Sequence, residues 1–426
     1  MTTRRGFLKS GGLALFGISL MGGIPAFIAE AAASNKNIGP YKKKKIMVCI
    51  FQRGAMDGLM AVTPFTDTYL QAARPTLFLT AAKGGNGNRT PLIDLDGRFG
   101  LHPAMSAFEP LFKSKQLSIV HGIGSPNNTR SHFDAQDYME SGTPFNKGTA
   151  SGWLNRATGL LGHDAGTTPF QAVSLTSAMP RSFYGDNPSV AISNLQDFAI
   201  QMRGNQAGAN MAAKSFEDLY DQTSSGLLKT TGKESFDAVK MLQKVDTKNY
   251  KPANGAVYPN SSVANSLKQI AQLIKMDVGL EIAFTESGGW DTHFNQGSDT
   301  GIFARNVDDL SKSMVAFWTD LGQYQDDVTL MTMTEFGRTV KQNGTGGTDH
   351  GRGSCNFIIG NDVNGGIVHG NVAQLSVENL EDGRDLAVTT DFRSVFSEVA
   401  DKHLKISNDR VLFPDWKGEH IGVMRA

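Results

Sequence analysis

Ile46-Met-Val-Cys-Ile-Phe51, followed at once by Gln52-Arg53-Gly54-Ala-Met-Asp57-Gly58, decides the class of fold. The apolar run has none of the polar alternation of a strand with one wet face. It fits a strand covered on both faces, as in a parallel sheet. The turn after it is bracketed by glycines and carries an acid. The same signal recurs at Leu117–Gly122, Ala172–Leu175, Val190–Ile192, Glu281–Thr285, Val328–Met333 and Phe357–Ile359. Helical spacing lies between these runs. Met105, Phe108, Leu111 and Phe112 follow Pro103, and Val263, Leu267, Ile270 and Ile274 form a second stripe. Phe303, Val307, Leu310, Met314, Phe317 and Leu321 step by three and four. Phe392, Val395, Phe396 and Val399 mark a last helix from near Asp391. Strands alternating with helices give an α/β fold with a mostly parallel sheet, whose ligands sit beyond the carboxyl ends of the strands. Residues from about 196 to 262 break the alternation. They are polar and read as an inserted helical cap.

The N-terminus reads as an address. Arg4-Arg5, a weakly apolar Gly-rich run from Gly11 to about Ala29, and Ala31-Ala-Ala-Ser34 match a twin-arginine export signal over 1–33. The fold then occupies 41–426. This reading implies passage through the twin-arginine translocase after folding in the cytoplasm, and a periplasmic or secreted destination. No later stretch holds 18 uninterrupted apolar residues, so no stable membrane span is expected beyond the signal. Lys+Arg and Asp+Glu are both 41, and this balance gives no sign of a nucleic-acid partner. The two cysteines, Cys49 and Cys355, each sit in an apolar strand run and read as buried thiols. There is no Cys-x-x-Cys, which excludes a zinc ribbon or a thioredoxin-like centre.

The chemistry gathers at the predicted strand ends. Asp57, Ser131, Asp291 and Glu335 each fall just past one. With His293, Asp349 and His350, the acids form a set of carboxylates and imidazoles suited to zinc, manganese, magnesium or calcium. Such an ion polarises an ester and activates a nucleophile. Ser131 is placed to cap a helix, where backbone N–H groups favour an anion. Its hydroxyl is read as a nucleophile or a phosphate binder. Arg130 would clamp the anion, and Arg338 and Arg352 could share that work. His132 joins the catalytic candidates. The absence of Gly-x-Ser-x-Gly and of a P-loop argues against an ordinary lipase and an ATPase.

Five segments carry a resemblance: Phe51-Gln-Arg-Gly-Ala-Met-Asp-Gly58, Arg130-Ser-His-Phe-Asp-Ala-Gln-Asp137, Gly288-Gly-Trp-Asp-Thr-His293, Thr334-Glu-Phe-Gly-Arg338 and Gly347-Thr-Asp-His-Gly-Arg352. In these the chain resembles the bacterial family called domain of unknown function 1501, over nearly everything after the signal. That family looks like a branch of the alkaline phosphatase and sulfatase superfamily. The resemblance implies a three-layer α/β/α sandwich and a two-metal site. Asp57 would be the ligand after the first strand, and Ser131 or Thr129 the nucleophile at a helix start. The pattern departs in two places. A superfamily Asp is followed by His four residues on, but His293 is two residues after Asp291, and Asn295 holds the fourth place. A later strand normally ends in Asp-His, and here Glu335-Phe336 stands there. No sulfatase Cys-x-Pro-x-Arg lies near Ser131.

The expectation is therefore an exported, metal-dependent hydrolase of phosphate or sulfate esters. The alternative is a non-catalytic periplasmic or surface protein that binds a sugar or an anionic polymer in the same pocket. A structural partner of another exported protein is a third reading.

Overall fold

The computed structural model describes residues 44–85, 87–162, 168–195 and 249–425. The expected signal over 1–33 and most of the expected cap over 196–262 lie outside the described residues.

The strands in chain order are β1 (Ile46–Gln52), β2 (Val62–Pro64), β3 (Ile93–Asp94), β4 (Phe99–Leu101), β5 (Leu117–Gly124), β6 (Ala172–Ser174), β7 (Val190–Ala191), β8 (Ile282–Ser287), β9 (Val328–Met333), β10 (Ser354–Ile359), β11 (Val368–His369) and β12 (Thr390–Asp391). The main sheet runs β11-β5-β10-β9-β1-β8-β6-β7, with β12 also on β5. β2, β4 and β3 make a small antiparallel sheet of their own. The main helices are α1 (His132–Ser141), α2 (Trp153–Leu161), α3 (Ser262–Lys275), α4 (Ile302–Leu321) and α5 (Phe392–Leu404).

β1 lies between β8 and β9, parallel to both. Its side chains divide between two cores. Ile46, Val48 and Ile50 pack with Leu267 and Ile270 of α3 and Phe303, Val307 and Leu310 of α4. Met47, Cys49 and Phe51 pack with Trp153 of α2 and Phe392, Val395 and Phe396 of α5. Because successive strand residues point to opposite faces, a run covered by helices on both sides must be apolar throughout. Each fully buried Phe or Leu there contributes about 1.5–3 kcal/mol relative to exposure. Serine and aspartate caps set the helix starts. Ser261 accepts from the Ala264 N–H at 3.3 Å, and Asp391 accepts from the Arg393 N–H at 2.9 Å.

The sheet is mixed. β1, β8, β9, β6 and β7 are parallel neighbours, but β10 runs antiparallel to both β9 and β5. The reason is local. A parallel return needs a crossover, usually a helix. Residues 334–353 between β9 and β10 contain no helix, so the chain turns and comes back. The consequence for the site is direct. The start of β10 reaches the same sheet edge as the ends of β1, β5, β8 and β9.

Cys49 and Cys355 are both buried and free, as expected. Burial pushes both thiols far up, Cys355 with a smaller push from Asp57. Among the described residues no helix is long and apolar enough to cross a membrane.

Candidate metal centre

Three loops meet at that edge. The loop after β8 is anchored by Trp290, fully buried, whose indole N–H donates to the Ser287 carbonyl at 2.9 Å. Asp291 then emerges with its side chain 48% exposed. The loop between β9 and β10 carries Glu335, Phe336 and Arg338 near its start and Asp349 and His350 near its end. The loop after β5 leads to Ser131 and then His132, the first residue of α1. Gly347 lets two of these loops touch, because a Cβ there would lie 2.3 Å from the His293 carbonyl carbon. Gly54 has φ of 115°, and a Cβ there would come within 2.7 Å of the Asp291 nitrogen.

Three imidazoles converge on Asp291. His293 Nε2 is 3.1 Å from Asp291 Oδ1, His350 Nε2 is 3.3 Å away and His132 Nε2 is 3.5 Å away. The Nε2 atoms of His293 and His350 are 2.9 Å apart. Donor atoms of His132, Asp291 and His350 all lie within 4.8 Å of one another. The opposite side of each ring is already engaged. His132 Nδ1 bonds Glu335 Oε1 at 2.8 Å, His293 Nδ1 bonds Asp349 Oδ1 at 3.0 Å, and His350 Nδ1 bonds the Arg130 carbonyl at 2.8 Å. Carboxylates and carbonyls only accept, so each Nδ1 carries a proton in these bonds, and in the neutral form of that tautomer Nε2 presents a lone pair to the centre. The buried Nε2 of His132 makes no hydrogen bond. Phe336 stacks on His132 with centroids 4.9 Å apart, which fixes the ring plane.

The local charges follow from these contacts. Glu335 is buried, which opposes its ionisation, but His132, Gln136 and the Gly54 N–H outweigh this and hold its carboxyl below the ordinary range. The bond to Glu335 raises the His132 pKa. Burial, with His132 nearby, lowers that of His350. Partial burial of Asp291 is outweighed by Arg338, which donates to Oδ1 at 2.5 Å and keeps the carboxyl low. The Asn343 amide, followed by His293, lowers Asp349.

The expected residues therefore separate. Asp291, His293, His350 and His132 come together. Glu335 and Asp349 lie one bond further out, behind His132 and His293. Asp57 departs from the expected ligand set. Arg74 holds both of its oxygens at 2.9 and 3.1 Å, and Gln296 donates to Oδ2 at 2.7 Å. It also caps the helical turn Gly58–Ala61. Arg130 departs from the expected anion clamp, since its guanidinium pairs with Asp382 and Asp385. Arg338 and Arg352 are engaged too, Arg338 with Asp291 and backbone carbonyls and Arg352 with Glu381. Ser131 stands at the N-cap of α1, exposed, with no side-chain cap bond. The sequence reading missed Gln136, Asn343 and Arg74. Gln136 and Asn343 lie near motif residues but are of types common everywhere. Arg74, which ends a short helix far from every motif, carries no signal of its own.

The chain belongs to the family of proteins of unknown function DUF1501, which matches residues 44–413. No curated protein matches it. Among solved structures it is similar to a sulfatase, PsFucS1 from Pseudoalteromonas sp., at 12% identity and a TM-score of 0.36, over 94% of this chain and 77% of that one.

Proposed function

We propose that this protein is an exported, metal-dependent hydrolase of phosphate or sulfate esters. His132, His293, His350 and Asp291 would hold a single divalent ion. The observation that carries the reading is the convergence of three Nε2 atoms, each with its Nδ1 engaged, on one carboxylate oxygen. Arg338 offsets the carboxylate from one side, and nitrogen lone pairs gathered this closely repel one another unless protons or a metal ion lie among them. A tetrahedral ion with bonds of about 2.0–2.1 Å separates its ligand atoms by about 3.3 Å. The contacts of Asp291 Oδ1 with the three Nε2 atoms, 3.1–3.5 Å, and the 2.9 Å between His293 and His350 are of that size. Three imidazoles and one carboxylate favour zinc, manganese or iron over magnesium and calcium, which prefer all-oxygen sets.

A bound ion would supply Lewis acidity to an ester oxygen. The chain's own residues would do the rest. The exposed Ser131 hydroxyl, at the N-terminus of the ten-residue α1, is the candidate nucleophile, and the helix end favours the anionic group. Arg338 holds Asp291 ionised. Glu335 and Asp349 keep two of the rings turned inward. Export rests on the Arg4-Arg5 signal.

Metal analysis of protein purified after cytoplasmic folding tests this. A transition ion near one per chain, with chelation lowering the melting temperature, is expected. A full site stabilises the fold by about 2.7 kcal/mol at a hundred times Kd. An unchanged melt in chelator and no bound ion would end the metal reading. Aryl phosphates and aryl sulfates then test turnover, and full activity in Ser131→Ala would remove Ser131 as nucleophile.

A further inference from the structure

We infer that Glu335 is a positioning residue rather than a ligand: it holds His132 in the tautomer that presents Nε2 to the centre. The inference rests on the metal reading above and deepens it. Glu335 is fully buried. Its Oε1 accepts from His132 Nδ1 at 2.8 Å, from the Gly54 N–H at 2.8 Å and from Gln136 Nε2 at 2.9 Å. Oε2 accepts from Thr334 Oγ1 at 3.2 Å. An oxygen with three donors has no lone pair left for an ion, and it is the oxygen facing His132. No direct contact links Glu335 with Asp291, His293 or His350 among the described bonds.

The support behind Glu335 is continuous. Gln136 accepts from Arg53 at 3.2 Å, and Arg53 is paired with Glu140 and Glu286 at 2.6 Å each. Gly54 comes from the end of β1, Gln136 from α1 and Glu335 from the end of β9. The carboxylate thus ties three elements together and fixes one ring. An imidazole free to rotate or to change tautomer would offer Nε2 to an ion only part of the time. Outer carboxylates of this kind change metal affinity by about 10–100-fold when removed.

The test uses the full-length protein loaded with cobalt(II), whose visible spectrum reports ligand number and type. The variants are Glu335→Gln, Glu335→Ala and His132→Ala, each checked for cooperative melting. The expected results are one ion per chain in Glu335→Gln, with the wild-type cobalt spectrum and about 10–100-fold weaker affinity in chelator competition. His132→Ala should change the spectrum, as loss of a ligand requires. A downfield, exchange-protected imidazole N–H in the proton spectrum of the zinc-loaded protein should shift in Glu335→Gln and vanish in His132→Ala. This resonance answers the question even if Glu335→Ala does not fold. A cobalt spectrum altered in Glu335→Gln but intact in His132→Ala would overturn this inference and leave the metal reading standing. Failure of the wild type to bind any ion would overturn both.

Discussion

Asp57 and Asp291 follow neighbouring strands of one sheet and each is paired with a buried arginine, but they differ in exposure and in what else surrounds the carboxylate. Asp57 is buried and Arg74, itself 2% exposed, meets both of its oxygens. Gln296 and the Met60 N–H complete its bonding. Asp291 is 48% exposed on its side chain, accepts from Arg338 at Oδ1, and has three imidazole Nε2 atoms 3.1–3.5 Å from that oxygen. One acid is satisfied by the protein. The other has one arginine on Oδ1 and stands where three histidines meet. Surroundings, more than residue type, separate the two acids: each has its arginine, but only Asp291 is open to solvent and ringed by imidazoles.

The largest expected effect breaks the first half of this comparison. Arg74→Ala should destabilise the fold by about 3–5 kcal/mol, because it leaves a buried carboxylate unpaired. Urea unfolding measures this, and a loss below about 1 kcal/mol would mean that Asp57 is not held as described. Replacing both partners by apolar residues should cost much less. His293→Ala breaks the second half. Metal affinity should fall by more than about a hundredfold, beyond what an outer-shell partner costs. The metal-free protein should stay within about 1 kcal/mol of the wild type, as for most surface changes. Equal losses of stability in the two variants would erase the distinction.

A third prediction concerns histidines that the fold buries as neutral groups. His121 donates from Nε2 to the Val62 carbonyl at 2.9 Å and accepts at Nδ1 from the Gly122 N–H at 2.9 Å. Burial lowers its pKa to about 4, and that of His403 likewise to about 4. The unfolded chain binds these protons near the ordinary value of about 6.5. Between about pH 6.5 and 4 the unfolded state therefore carries more protons, and stability must fall as pH falls through that window. His121→Gln should flatten this acid limb, read as the difference in urea midpoint between pH 7.5 and pH 4.5. An unchanged slope would show that His121 is not neutral in the fold. The smallest effect should come from Asp349→Asn. Asp349 is 54% exposed on its side chain and supports His293 from outside. Metal affinity should weaken by about tenfold, the low end for such partners, measured by chelator competition.

Much of the frame was legible along the chain. The strand Val328–Met333 and the helix stripe through Phe303 and Leu321 appear where the apolar spacing puts them. The positions of Asp291, His293, His350 and His132 at one sheet edge follow from strand ends and the rule that ligands gather there. The direction of β10 was not legible, because it depends on how the helix-free segment 334–353 returns. Nor was the division of labour among the acids. Glu335 has the same local signature as Asp291, an acid just past an apolar strand, yet it accepts His132 instead of joining the centre.

The sequence by itself determined the α/β class, the buried central strand and the gathering of acids and histidines near strand ends. These follow from local periodicity, which a few adjacent residues encode. Only the tertiary structure decided that Arg74 neutralises Asp57 and that Glu335, 203 residues from His132, orients its ring. It likewise decided that Arg130 is tied to Asp382 and Asp385. Partnership between charges depends on distances of about 3 Å, and such distances arise between residues far apart in the chain only once the sheet brings their loops together.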